Sequence, residues 1–324
     1  MRTLAALTCL AGLAACTQYG PVERNISTEL PFAEISQSVG EDTISFYETG
    51  ESETTVVMMH GLPANSYLWR NVAPIVAEEA KVVAFDLPGY GKSSVPASGD
   101  YTYPGLYTPM AQFLDARPEG SLVLVVTDLA SVLGLDYAMR NQERIKGIVL
   151  LEAVFMPAED WYAQIPTWQQ AMLSVMRSDW LARLFILDNP ILQANTLSIG
   201  TIRDLKPAED ARYTAPYADI EYRRVVLEGP GPANVPSGGM STDEGDIAAA
   251  MNRNAAGLRE TDIPILLLTA EPGLITQPPA VDYARQNFKN LTVKSIGAGL
   301  HYLPEDQPTA IGQAIRDWLA EFIR

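Results

Sequence analysis

Leu122-Val123-Leu124-Val125-Val126-Thr127-Asp128-Leu129-Ala130 is the stretch that decides the fold of this chain. Its apolar residues follow one another without polar alternation, which is the pattern of a strand covered on both faces in a parallel sheet. A polar turn follows at Thr127-Asp128, and Ala130 is small enough to let that strand and a following helix approach closely. Working outward, further strand-length runs lie at Thr54–Met59, Lys81–Phe85, Ile148–Leu151, Ile265–Leu268 and Leu291–Ile296. Between Glu152 and Glu260 the pattern changes to helical segments rich in Trp, Met and Arg, followed by a Gly/Pro-rich stretch from Gly229 to Gly239. Strand character resumes at Ile265, so the chain is expected to return to the same sheet after an inserted helical cap. Ile311, Ile315, Leu319 and Ile323 recur at helical spacing and predict a packed final helix.

With 324 residues, 47% hydrophobic and 19% charged, the chain can bury a full core. A net charge of −16 repels phosphate backbones and anionic lipid surfaces, which excludes nucleic acid as a natural partner and suits an uncharged substrate.

The first residues carry Arg2 and then an apolar run, Leu4 to Leu13, too short to span a bilayer. The run ends in Leu13-Ala14-Ala15-Cys16, which resembles the lipobox of bacterial lipoproteins. That resemblance implies cleavage before Cys16, acylation of its thiol, and a lipid bilayer as partner. Cys9 would leave with the signal, so the mature chain could form no internal disulfide. Thr17 lacks the acidic character associated with inner-membrane retention, so the expected location is the cell envelope, at the outer membrane and facing the periplasm. The expected organisation is a signal peptide (1–15), a lipidated tether (16–35), the first part of an α/β core (36–155), a helical cap (156–260) and the second part of the core (261–324).

The order of motifs is strand, His60-Gly61-Leu62-Pro63; strand, Asp86-Leu87-Pro88-Gly89-Tyr90-Gly91-Lys92-Ser93; strand, Thr127-Asp128-Leu129-Ala130; strand, Glu152; strand, His301. With Ser66 to Asn71, Asn141 to Gly147 and Gly299 to Leu303, this order resembles the haloalkane dehalogenase branch of the α/β-hydrolases. The resemblance covers most of 55–155 and 262–320, and more loosely Arg203 to Tyr217. It implies an α/β-hydrolase fold, a mostly parallel sheet with helices on both faces and a cap over the site.

The residues support the same chemistry. No G-x-S-x-G occurs, and Ser131 lies off the turn, so Asp128 is the residue at the apex of the elbow. A carboxylate there can displace a leaving group at carbon, giving an enzyme ester that water must cleave. Histidine is the usual base near neutral pH. Of the two histidines, His60 belongs to the H-G-x-P turn, where the resemblance makes it structural, leaving His301. Glu152 matches the orienting acid of one subfamily; Glu271, after the next strand, is the alternative. Backbone N–H groups of Leu62 and Leu129 would form the oxyanion hole. Gly89 to Ser93 resembles the end of a phosphate-binding loop, but Asp86 stands where its first glycine belongs, so it reads as a turn. Two histidines and one mature cysteine offer no ligand cluster, so neither a metal nor an organic cofactor is expected.

The sequence departs from the resemblance at one place. Haloalkane dehalogenases pair H-G-N-P with H-D-W-G, whose Asn and Trp donate to the departing halide; here those positions are Leu62 and Leu129, which donate nothing. Three readings follow. Cap tryptophans (Trp161, Trp168, Trp180) replace the donors and the substrate is a haloalkane. Alternatively, cap tyrosines (Tyr162, Tyr213, Tyr217, Tyr222) protonate an epoxide oxygen. The third is a non-catalytic binding lipoprotein on a hydrolase fold. Trp161, Trp168 and Tyr213 are the expected pocket residues for a small apolar substrate.

Overall fold

A computed structural model describes residues 20–118, 120–165, 170, 179–230 and 246–322; Cys9, Cys16, Trp168 and Ile323 lie outside them. Among the described residues eight strands form one sheet: β1 (Ile35–Val39), β2 (Asp42–Thr49), β3 (Thr54–Met59), β4 (Lys81–Phe85), β5 (Ser121–Thr127), β6 (Ile145–Ala153), β7 (Ile265–Pro272) and β8 (Leu291–Gly299). Their order is β1-β2-β4-β3-β5-β6-β7-β8. The first two pairings are antiparallel and all others parallel.

The helices are α1 (Ala73–Val76), α2 (Tyr103–Asp115), α3 (Asp128–Arg140), α4 (Ala158–Gln164), α5 (Asp179–Ala182), α6 (Ile191–Ile199), α7 (Pro207–Thr214), α8 (Ile220–Glu228), α9 (Ile247–Glu260), α10 (Pro278–Asn287), α11 (Leu303–Asp306) and α12 (Pro308–Phe322). A 3₁₀ turn covers Ser66–Trp69, and a π-helical stretch follows α5 at Arg183–Asp188.

The unalternated apolar runs are explained by two cores, one on each face of the sheet. Val57, Met59, Leu124, Val126, Ile148 and Leu150 point into the layer containing α2, α3, α9 and α10. Val56, Met58, Val123, Val125, Val149 and Leu151 point the other way, against α1 and α12. Ile311, Ile315 and Leu319 are buried there, as their spacing predicts.

Chain direction places the site. After β3 the chain steps to β4 on one side, then crosses back to β5 on the other, so the loops at the carboxyl ends of β3 and β5 diverge and leave a crevice. His60–Pro63 and Asp128 occupy those two ends.

Three stretches differ from the sequence reading. The β1–β2 hairpin is an addition: its outer strand, Ile-Ser-Gln-Ser-Val, is short, polar and mostly exposed, so it carries little strand signal. The expected tether is docked from Gly20 onward: Val22 and Ile26 are buried, Arg70 Nε donates to Ser27 O at 2.8 Å, and the Tyr67 hydroxyl donates to Thr28 O. Gln307 and Lys206 donate to Pro21 O and Ile26 O. Finally, α9 falls within the range expected for the cap but covers the sheet beside α3, with Asn254 Nδ2 donating to Val132 O and Arg253 paired with Asp136. No helix among the described residues is long and apolar enough to cross a membrane.

Candidate active site

Asp128 follows β5 and begins α3 with φ at +47°, a left-handed conformation costly for a residue with a Cβ. The strain is held in place by neighbours. The Ser131 hydroxyl donates to Asp128 O while accepting from Val154 N at 2.8 Å, so the serine that lies off the apex buckles the elbow to the end of β6. Asp128 also bridges to Ala153 of β6. On the other side Gly61 leaves room: a Cβ there would stand 2.4 Å from the Cβ of Asp128. That close approach brings Leu62 N–H to Asp128 Oδ2 at 2.7 Å.

Glu152 is, with Asp128, one of the two non-glycine residues with positive φ among the described residues, at +41°. Its buried carboxylate accepts from Leu274 N (3.0 Å), Ile275 N (2.7 Å) and Thr276 N (3.2 Å) and lies 3.3 Å from His301 Nδ1. The structure therefore brings Glu152, not Glu271, to His301; Glu271 is exposed at the end of β7. The His301 imidazole is buried. Burial disfavours its charged form, yet the hydrogen bond to Glu152 and the charges of Asp128 and Glu152 outweigh that, and its pKa is raised above 6.5. Its backbone is fixed from the cap, since Gly200 O accepts from both His301 N and Tyr302 N.

His60 does different work. Its Nε2 accepts from Leu87 N at 2.9 Å, so Nδ1 carries the proton and donates to Gly61 O. Burial lowers its pKa and keeps it neutral. Asp86 accepts from Ser66 N and Lys92 N, both at 2.7 Å, and so pins the Gly89–Ser93 turn.

The cavity beside Asp128 is lined by Leu129, Val132, Val154, Trp161, Ile247 and Met251. Of the expected pocket residues Trp161 is here, and its indole N–H donates to no acceptor among the described residues. Trp180 is 69% exposed and does not line the cavity. Tyr213 is a correction. It is buried elsewhere, its hydroxyl donating to Glu305 within a network in which Arg70 and Arg203 each pair with Glu209 and Glu305. The Tyr213 hydroxyl also accepts from Arg70, so both its hydrogen-bonding roles are taken inside that network. Tyr217 and Tyr222 donate to Pro63 O (2.7 Å) and Ser93 O (2.9 Å). Ile247 and Met251 were not foreseen; their spacing of four on one helix is the signal they left. Among the described residues no cluster of His, Cys, Asp and Glu could hold a metal.

A strained acidic elbow, a backbone N–H on its carboxylate and a carboxylate-paired histidine on neighbouring strand ends define an α/β-hydrolase, and the α/β hydrolase fold family model matches residues 54–308. The chain is 32% identical over 285 residues to a haloalkane dehalogenase of Mesorhizobium japonicum, covering 87% of this chain and 90% of that one. It is 37% identical over 277 residues to one of Sphingobium indicum, covering 83% and 88%. The crystal structure of a haloalkane dehalogenase from Bradyrhizobium elkani superposes with a TM-score of 0.82 at 29% identity, over 90% of this chain and 99% of that one. The chain belongs to the haloalkane dehalogenase-like family of α/β-hydrolases and is an enzyme of that type.

Proposed function

We propose that this enzyme hydrolyses small apolar haloalkanes through an ester on Asp128. With Oδ2 held by Leu62 N–H, Oδ1 attacks the carbon that bears the halogen; a C–O bond forms, and the C–halogen bond breaks with its electron pair leaving on the halide. His301, oriented through Nδ1 by Glu152, then takes a proton from water. The resulting hydroxide adds to the ester carbonyl carbon. Charge on the carbonyl oxygen is held by the N–H groups of Leu62 and Leu129; collapse breaks the bond to the alkyl oxygen, which leaves as the alcohol with the proton from His301, and Asp128 loses the proton of its new carboxyl to water. The observation that carries this reading is the 2.7 Å bond from Leu62 N–H to an otherwise strained aspartate.

The leaving halide needs a donor, and Leu62 and Leu129 offer no side-chain N–H. Trp161 supports the haloalkane reading because it lines the same cavity with its indole N–H unused among the described residues. The phenols of Tyr213, Tyr217 and Tyr222, by contrast, already donate elsewhere, which weighs against epoxide opening.

His301→Phe tests the chemistry. It should accumulate an adduct on Asp128 whose mass gain equals the alkyl group of an offered haloalkane. An adduct only with epoxides, equal to the whole epoxide, would overturn the substrate class. Absence of any adduct would overturn the mechanism.

We further infer that the mature chain begins at an acylated Cys16 in the cell envelope, at the outer membrane. The support is the Leu13-Ala14-Ala15-Cys16 sequence. Intact mass should show the acyl groups, and Cys16→Ser should move the protein from the membrane to the soluble fraction.

A further inference from the structure

Helix α6, Ile-Leu-Gln-Ala-Asn-Thr-Leu-Ser-Ile, carries no charge in a chain whose net charge is −16. Gln193 and Leu197 are its buried side, while Ile191, Ala194, Asn195, Ser198 and Ile199 are exposed, at the i, i+3, i+4, i+7, i+8 spacing of one face. Ile191 is 51% and Ile199 62% exposed. The preceding stretch packs against this helix, with Gln193 Nε2 donating to Ile186 O, and it leaves Trp180 and Phe185 exposed as well. Large apolar side chains open to water on one helix face mark an interaction surface.

The docked N-terminal segment says what covers it. Val22 packs against Ile202 and Ala298, and Pro21 O accepts from Gln307. Ile202 is three residues past the end of α6, so the fixed end of the segment lies beside that helix. Four peptide steps separate Cys16 from Gly20, a span of at most about 15 Å, and α6 itself is only about 12 Å from Ile191 to Ile199. Lipid chains on Cys16 therefore hold the headgroup layer within reach of α6.

We propose that the exposed face of α6 docks on the surface of a zwitterionic bilayer. The proposal rests on the acylation of Cys16 inferred above. An uncharged helix face bearing two exposed isoleucines, on a strongly acidic protein, suits neutral headgroups, since anionic lipid would repel the rest of the molecule. Gly200, the residue after α6, accepts from His301 N, so the docked helix is tied to the backbone of the active-site histidine.

The test uses the acylated protein in phosphatidylcholine vesicles. Ser198→Cys, labelled with an environment-sensitive dye, should lose about half its emission when the acyl chains are brominated, because an interfacial helix reaches the acyl boundary. The same dye at Glu143→Cys, at the opposite end of β6 from the site, should be unaffected. Adding Ile191→Glu with Ile199→Glu should remove the quenching. Equal emission at both positions, in protein whose acylation is verified by mass, overturns the docking and leaves the anchor standing. An unacylated Cys16 overturns the anchor and this proposal with it. Dimerisation of the Cys16→Ser protein that Ile199→Glu abolishes, without quenching in the acylated form, overturns it in favour of a second copy of the chain.

Discussion

Neutral His301 is the form that can take a proton from water, so its raised pKa governs the acid side of the pH profile. Burial pushes that pKa down, while Glu152 and Asp128 push it up and prevail. Activity should therefore fall as pH drops through a value above the ordinary histidine range, read as the acid limb of kcat, because His301 acts on the ester after the C–halogen bond has broken. Glu152→Gln removes one of the raising groups, and the limb should move to lower pH while the rate falls. Gly61 makes a steric prediction. Its added Cβ would meet that of Asp128 at 2.4 Å, so Gly61→Ala must displace the elbow. A displacement near 1 Å at a reacting group costs about a hundredfold in rate, and kcat of Gly61→Ala should show that loss with the fold intact by circular dichroism. Trp161→Phe keeps the ring but deletes the N–H; a hydrogen bond to a charged group is worth about 1.5–3 kcal/mol, so C–halogen cleavage, read in single-turnover kinetics, should slow by roughly ten- to a hundredfold.

Between elements, the fully buried pairs of Arg70 with Glu209 and Glu305 join the 3₁₀ turn at Ser66–Trp69, helix α7 of the cap and helix α11 after His301. Such a network contributes little over a hydrophobic replacement, but removing one partner strands the others without solvent. Glu305→Ala should cost about 3–5 kcal/mol in chemical denaturation. Asp306, beside it, accepts from Ile202 N, Arg203 N and Leu300 N and so ties the cap to the His301 loop. The strands were legible because both their faces are buried and their residues are uniformly apolar. The β1–β2 hairpin was not, because a short polar strand at a sheet edge is stabilised by pairing that its own sequence does not announce.

In the whole molecule, the docked N-terminal segment links the core, α11 and the cap. Its carbonyls at Pro21, Ile26, Ser27 and Thr28 accept from Gln307, Lys206, Arg70 and Tyr67. At about 1 kcal/mol for each hydrogen bond, removing residues through 30 should lower unfolding free energy by roughly 4 kcal/mol. A free tether would leave the denaturation midpoint unchanged. The segment read as a tether from its glycine, prolines and missing period because docking through backbone carbonyls leaves almost no side-chain pattern.

What the sequence by itself determined was everything carried by neighbours along the chain: the buried strands, Asp128 at the turn after one of them, His301 after the last, and leucines where halide donors were expected. Tertiary structure decided which groups meet. Glu152 rather than Glu271 reaches His301 because three backbone N–H groups from the loop after β7 turn its carboxylate inward. Trp161 lines the cavity, whereas Trp180 faces solvent and Tyr213 completes a distant ion network. Residue type is local, but the proximity of two side chains depends on how strands, cap and docked terminus pack, and that packing is set by contacts between residues far apart in the chain.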